Sequence, residues 1–422
     1  MEQLRGKKLL ILGGSPEEIA LVERAKALGI YTIVADYYDS ETSPAKKYAD
    51  EVWNNSWTDI NELAKKCRES EVNGVTAGYS EFRVKNLIKL CLILGLPCYI
   101  NEDQFDITHN KGKFKKICQK NGVPVVKEYA YIDEVTKFPV IVKPVDRGGS
   151  IGISVANNQE ELQKAYVYAM EMSVCKQVII EDFITDGEKF DLYYAVLCGE
   201  PLLLTTSDTI HAAENGTEKV VQSGWLYPSK HLQAYMKNVE PSIKKMINDM
   251  EIIDGYIFFS GFALPNNEFV FFETGFRLSG EHIHAYAVKK GFVNVQDIFI
   301  KHALTGNTIG LDKGYDSFPE LKCVIINYYS KSGTIATISG SSEIEKLKDN
   351  IFACYYANPG KKCDDSKAIL PKISMFMFSN NSAEELSNDV KIANSVFTVT
   401  SIEGNDMVYN HFDESVINNW WK

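Results

Sequence analysis

The segment Phe138-Pro-Val-Ile-Val-Lys143-Pro-Val-Asp-Arg-Gly148-Gly149-Ser150-Ile-Gly152-Ile joins an apolar strand, a terminal lysine and a glycine-rich loop. Glycines let backbone N–H groups approach phosphate oxygens that a Cβ would keep away. Lys143 adds a point charge beside them. A tight hairpin with positive φ at Gly148 and Gly149, and with Lys143 facing solvent, accounts for the same residues equally well.

The flanking segments shift that balance. Upstream, Lys111 opens a helix expected over 111–121. Downstream, the apolar run Val178-Ile-Ile ends in Glu181-Asp182-Phe183-Ile184, followed by Gly187-Glu188. An apolar strand ending in an acid suits a nucleotide base, with aliphatic and aromatic groups against the ring and a carboxylate facing its exocyclic amine. Glu188 is then placed for ribose hydroxyls. The last element is Phe271-Phe272-Glu273-Thr-Gly-Phe-Arg277-Leu-Ser-Gly280. Each acid alone reads as a solvated strand end, and the order along the chain carries the inference.

At 422 residues the chain is expected to form two or three domains around a shared cleft. Residues 1–105 alternate short apolar strands (8–12, 31–36, 74–77, 97–100) with helices (16–28, 60–70, 81–94), which implies a parallel sheet covered on both faces. From 106 to 308 the pattern is α+β, with a hairpin across Pro265-Asn266-Asn267. Residues 309–422 form a smaller α+β block that carries no motif of its own. The fold class is therefore α/β followed by α+β. A net charge of −11 argues against nucleic acid as the main partner. The N-terminus lacks the pattern of a signal peptide, and no apolar run is long enough to span a bilayer, so a cytoplasmic enzyme without membrane contact is expected. The nine cysteines show no C-x-x-C pair and read as reduced thiols.

The ordered series Lys111, Lys143 with its loop, Glu181, Glu188 and Glu273 to Arg277 resembles the ATP-grasp superfamily over about residues 1–306. The stretch Asp36 to Pro44-Ala45 and Ala49-Asp50 also looks like the superfamily's N-terminal domain. The resemblance implies a pre-ATP-grasp domain at 1–105, an ATP-grasp domain at 106–308 whose two α+β subdomains clamp ATP (lid about 125–185), and a C-terminal domain at 309–422. It makes Lys111 and Lys143 phosphate ligands, with Lys143 and Arg277 in catalytic roles. Gly148, Gly149, Ser150 and Gly152 form the lid loop. Glu181, Asp182, Phe183 and Ile184 take adenine, and Glu188 takes ribose. Glu273 is the Mg²⁺ ligand, and Arg277 contacts an acyl phosphate or a substrate carboxylate.

The activity implied is ATP-dependent ligation of a small carboxylate, such as an amino acid, to an amine through an acyl phosphate. The branch it resembles is that of bacterial L-amino acid ligases and the carbamoyl-phosphate synthase large subunit. A homodimer is compatible with this. Two positions depart from the superfamily pattern: Gly275 stands where asparagine is usual, and the strand before carries Phe259-Ser260-Gly261 where a second acid is expected. Ser260 makes a non-catalytic nucleotide-binding protein of the same fold the alternative. An oxidoreductase is disfavoured by the absence of G-x-G-x-x-G.

Further candidates are weaker. Gly13-Gly14-Ser15 at a helix start can bind an anion or form a plain turn. Gly78-Tyr79-Ser80-Glu81 lies at a strand end, where ligands of open α/β sheets gather, or is a simple cap by Ser80. His282 and His284, near Arg277, are expected at the surface. His211 belongs to a polar stretch expected to form a loop. Trp420-Trp421 is expected to be a packed terminus.

Overall fold

The computed structural model describes residues 1–148, 151–212, 221–366 and 369–421. Gly149 and Ser150 of the expected phosphate loop lie outside the described residues. The first sheet is parallel throughout, in the order Glu51–Trp53, Tyr31–Ala35, Lys8–Leu12, Gly74–Ala77. Its inner strands are apolar at nearly every position, as covering by helices on both faces requires. Those helices include Glu18–Ala27, Ile60–Glu69 and Glu81–Leu94.

The strand expected at 97–100 does not form. Pro97 has no N–H for a ladder. The chain instead turns into helix Glu102–His109, capped reciprocally by Asn101 and Gln104. Tyr99 turns inward, where its hydroxyl donates to the Phe276 carbonyl at 3.1 Å.

A second, antiparallel sheet runs Glu128–Tyr129, Val178–Asp182, Val140–Pro144, Ser154–Ala156, with helix Gln159–Met172 on one side. The strand expected from 151 begins only at Ser154, because Gly152 takes φ +77° and breaks the extended run. A Cβ at Gly152 would lie 2.7 Å from both Met172 Cβ and Pro144 Cγ. Gly152→Ala therefore combines left-handed strain with overpacking. It should destabilise the protein by about 1–3 kcal/mol, to be read as a lowered denaturation midpoint.

The third sheet is antiparallel and eight-stranded. Its order is Glu268–Gly275, Gly255–Leu264, Glu188–Leu197, Glu200–His211, Gln222–Tyr227, Lys322–Tyr329, Lys372–Asn380, Asn350–Tyr355. The strands beyond residue 309 thus continue the sheet that carries Glu273. The hairpin at 265–267 is present, with Asn266 and Asn267 both at φ above +60°. The C-terminus packs inward: Trp420 Nε1 donates to Asp208 at 2.8 Å and Trp421 Nε1 to the Pro228 carbonyl at 2.9 Å. All nine cysteines are free. No helix among the described residues is long and apolar enough to cross a membrane.

Candidate functional site

Lys143 is buried, which excludes a solvent-facing role. Ile141 pairs with Glu181 across the small antiparallel sheet, so Lys143, two residues on, shares its face. Its ammonium forms an ion pair with one Glu181 oxygen and lies 5.2 Å from the centre of the Phe272 ring. The other Glu181 oxygen pairs with Lys115, which also reaches Glu128 at 3.1 Å. Sequence reasoning missed Lys115. The available signal was its spacing of four from Lys111 on one helix, which puts both on the same face.

Lys111 holds the chain just ahead of the glycine segment. Its backbone N–H donates to the Val145 carbonyl at 3.0 Å, its ammonium donates to the Arg147 carbonyl at 2.7 Å, and the same ammonium stands 3.6 Å from Glu273. Glu273 keeps about 41% of its side chain exposed, so an oxygen remains free. Gly148 takes no positive φ. A Cβ there would stand 3.6 Å from Glu81, and the bare glycine lines the same cleft as Glu81, His109, Lys111, Arg147 and Glu273.

Arg277 meets this cleft through Glu81, one of its lining residues. Its Nη2 donates to Glu81 at 3.0 Å and its Nη1 to the Leu278 carbonyl at 2.9 Å. The guanidinium also lies over the Phe258 ring at 5.1 Å. Glu81, from the Gly78-Tyr79-Ser80-Glu81 strand end, is therefore a partner of Arg277, and Ser80 makes no side-chain cap. Burial works to raise the Glu81 carboxyl, but Arg277 and His109 outweigh it and hold the carboxyl below the usual glutamate range. A carboxyl lowered by folding stabilises the folded state above its unfolded pKa. That stability is lost as pH falls through the lower folded value. Glu81→Gln should abolish this part of the acid dependence, which is to be read from denaturation midpoints between pH 6 and 3, pH values chosen around the usual glutamate range at about 4.3.

Glu188 is engaged by Lys230 at 2.8 Å and His231 at 2.5 Å. Burial opposes its ionisation, yet these partners hold the carboxyl low. Asp182 accepts from the Tyr129 hydroxyl at 2.6 Å, and Phe183 is exposed at the strand end. Ile184 follows it and packs near Gly187, where a Cβ would meet its Cγ2 at 2.6 Å.

The two sequence departures have structural causes. A Cβ at Gly275 would lie 2.3 Å from Phe258 Cζ, so the aromatic ring occupies the space of a larger residue there. Ser260 pairs in register with Glu273 on one side and Asp191 on the other, and its hydroxyl donates to Asp191 at 2.6 Å. The next carboxylate on this face of the sheet is thus Asp191, one strand beyond the expected place.

Other expectations change. The Gly14 N–H is already taken by Asp36 at 2.9 Å, and the Arg83 side chain lies over Gly13, so this turn is filled by the protein itself. His282 and His284 are buried rather than superficial. His282 sits at φ +53° in the loop after Arg277, its ring stacked 4.8 Å from Phe352 and 4.9 Å from Tyr79. Burial pushes His284 down to about 4 and His282 well below its usual value, so both are neutral. His211 closes strand Glu200–His211, and residues 213–220 after it lie outside the described residues.

With its parallel four-stranded sheet, small antiparallel sheet and long antiparallel sheet, this chain has the fold of the ATP-grasp class of proteins. Residues 105–227 match the family model "D-ala D-ala ligase C-terminus". Among curated relatives, a D-alanine–D-alanine ligase of Fusobacterium nucleatum is 41% identical over 96 residues, 23% of this chain and 30% of that protein. A formate-dependent phosphoribosylglycinamide formyltransferase of Prochlorococcus marinus is 28% identical over 197 residues, 44% of this chain and 50% of that protein. The chain thus spans half or less of the length of these two relatives. The solved L-amino acid ligase from Bacillus licheniformis superposes with a TM-score of 0.72 at 18% identity, over 94% of this chain and 99% of that one. A biotin carboxylase from Campylobacter jejuni does so with 0.75 at 15% identity, over 99% of this chain and 96% of that one.

Proposed function

We propose that the protein is an ATP-dependent carboxylate–amine ligase working through an acyl phosphate, with the three segments 1–105, 106–308 and 309–422 enclosing one cleft. The single observation that carries this is the meeting of Lys111 and Glu273 in one cleft whose Glu81 holds Arg277, backed by the buried Lys143–Glu181 pair. The relatives named above are ligases or a formyltransferase by description, and the structural neighbours include an L-amino acid ligase.

The residues present fit ATP with magnesium. Lys111 and Lys143 offer two cations, Gly148 leaves room at the loop, and Glu273 keeps a free oxygen of the hard kind that Mg²⁺ takes alongside phosphates. Mg²⁺, when bound at Glu273, neutralises phosphate oxygens. Glu181 and the strand end through Ile184 are assigned to adenine and Glu188 to ribose, the latter after exchange of its Lys230 and His231 contacts. Arg277 orients the substrate carboxylate, and Glu81 acts as a positioning residue that holds Arg277 from the N-terminal segment.

In the reaction, a carboxylate oxygen forms a bond to the γ-phosphorus as the bond to the ADP oxygen breaks. An amine nitrogen then bonds to the acyl carbon and phosphate leaves. Such transfers demand positioning and charge neutralisation above all. Closing the 125–185 segment over the cleft keeps water from the acyl phosphate.

The alternative, nucleotide binding without turnover, draws on Ser260 and on the Phe258 ring beside Gly275. A matrix of amino acids and small carboxylates, paired and assayed for ADP release with ATP and Mg²⁺, separates the two. Release that requires both a carboxylate and an amine supports ligation, and ATP binding without such release overturns it.

A further inference from the structure

We propose that His109 is the base that takes the proton from the amine as the C–N bond forms. This rests on the ligase reading above, in which no residue yet fills that role. A nitrogen that has bonded to the acyl carbon is cationic until it loses a proton, and a positioned side chain speeds that loss.

The cleft that holds Lys111 and Glu273 contains few groups able to accept the proton. Lys111 and Arg147 line it as cations with donors and no acceptor. Glu273 is assigned to Mg²⁺. Glu81 accepts from Arg277 at 3.0 Å, and its carboxyl is held below the usual glutamate range, which makes it a weak base. The remaining titratable side chain that lines this cleft, among the described residues, is His109.

The ring is held from two sides. Phe105 and His109 stand four apart on helix Glu102–His109, which sets them on one face, and the two rings stack with centres 5.2 Å apart and planes at 17°. On the other side, Nδ1 stands 3.9 Å from Glu81 Oε2, while Oε1 of the same carboxylate accepts from Arg277. One carboxylate thus ties the arginine assigned to the acyl group to the imidazole assigned to the amine. With its N–H at Nδ1, toward Glu81, the ring carries its lone pair on Nε2. Nε2 has no protein partner among the described residues, and the side chain is 32% exposed, so a substrate can reach it.

Burial holds the imidazole below the ordinary histidine value, with Lys111 and Lys85 adding to the effect and Glu81 and Asp146 opposing it. Arg147 and Glu273 are the other charged groups of the cleft. The ring is therefore neutral above about pH 6.5. Glu81 then steadies the imidazolium that forms.

In the step, the amine lone pair forms the C–N bond and the carbonyl π pair moves onto oxygen. Nε2 takes a proton from the nitrogen. The carbonyl re-forms as the bond from the acyl carbon to the phosphate oxygen breaks, phosphate leaves with that electron pair, and the imidazolium passes the proton to it.

The test uses the full chain with ATP, Mg²⁺ and the carboxylate that releases most ADP in the matrix above, offered with its partner amine or with hydroxylamine. Hydroxylamine is weakly basic and strongly nucleophilic, so it traps the acyl phosphate as a hydroxamate with little help from a base. His109→Gln should lower amide formation about 10²–10⁴-fold and hydroxamate formation far less. Imidazole added to His109→Ala should restore part of the amide rate. Denaturation midpoints near that of wild type show the variants folded. Equal loss of both products in His109→Gln, full amide formation in that variant, or no rescue of His109→Ala overturns the base assignment and keeps ligation. Wild-type protein that forms neither product nor ADP in any pairing would sink ligation, and this role with it.

Discussion

Glu273→Gln should lower carboxylate- and amine-dependent ADP release by about 10²–10³-fold, leaving the folded protein intact. Glu273 is half-exposed at the end of strand Glu268–Gly275, and its one charged neighbour among the described residues is Lys111 at 3.6 Å. Little folding energy depends on it, because an ion pair this open to solvent contributes on the order of 1 kcal/mol or less. The neutral amide keeps the shape but not the charge that binds a hard cation. Steady-state ADP release, set beside ATP affinity from equilibrium titration, checks this. Full turnover in the variant would place the metal elsewhere, and Asp191, next on the same sheet face, is then the residue to replace.

The second large effect concerns stability. Glu181→Ala should destabilise the protein by about 3–5 kcal/mol. Glu181 is 1% exposed and pairs with two buried lysines, Lys115 and Lys143. Removing it leaves two ammonium groups without that counterion in the interior, with only Glu128 at 3.1 Å still serving Lys115. Chemical denaturation checks the magnitude. Adding Lys115→Met to Glu181→Ala should recover part of the loss, since one of the two orphaned charges is removed. A double variant no more stable than the single one would show that Lys115 finds another partner.

Much of the fold was legible locally. The strands Lys8–Leu12 and Gly74–Ala77 and the helix Glu81–Leu94 have the bounds their apolar runs and flanking glycines indicate. The 265–267 hairpin followed from Pro-Asn-Asn, a turn-forming proline before two asparagines that tolerate the positive φ such a turn needs. What failed did so for two different reasons, one local and one tertiary. The apolar run 97–100 reads as a strand, yet Pro97 and the capping pair Asn101 and Gln104 commit it to a helix entry. His282 and His284 look like loop histidines, but the aromatic cluster with Tyr79 and Phe352 draws residues from two distant segments over them.

By itself, then, the sequence determined the kinds of groups proposed for the site and their order: Lys111, Lys143 with its glycine loop, Glu181, Glu188, Glu273 and Arg277. That information is local, since each lies at a strand end or helix start whose pattern can be read from a few neighbours. Only the tertiary structure decided their partners. It set Lys115 and Lys143 on one carboxylate, gave Arg277 to Glu81, put Phe258 in the space beside Gly275, and carried the Glu273 sheet into a segment with no motif. Pairing across strands and between segments depends on register and packing over hundreds of residues, and neither is encoded in any single stretch of chain.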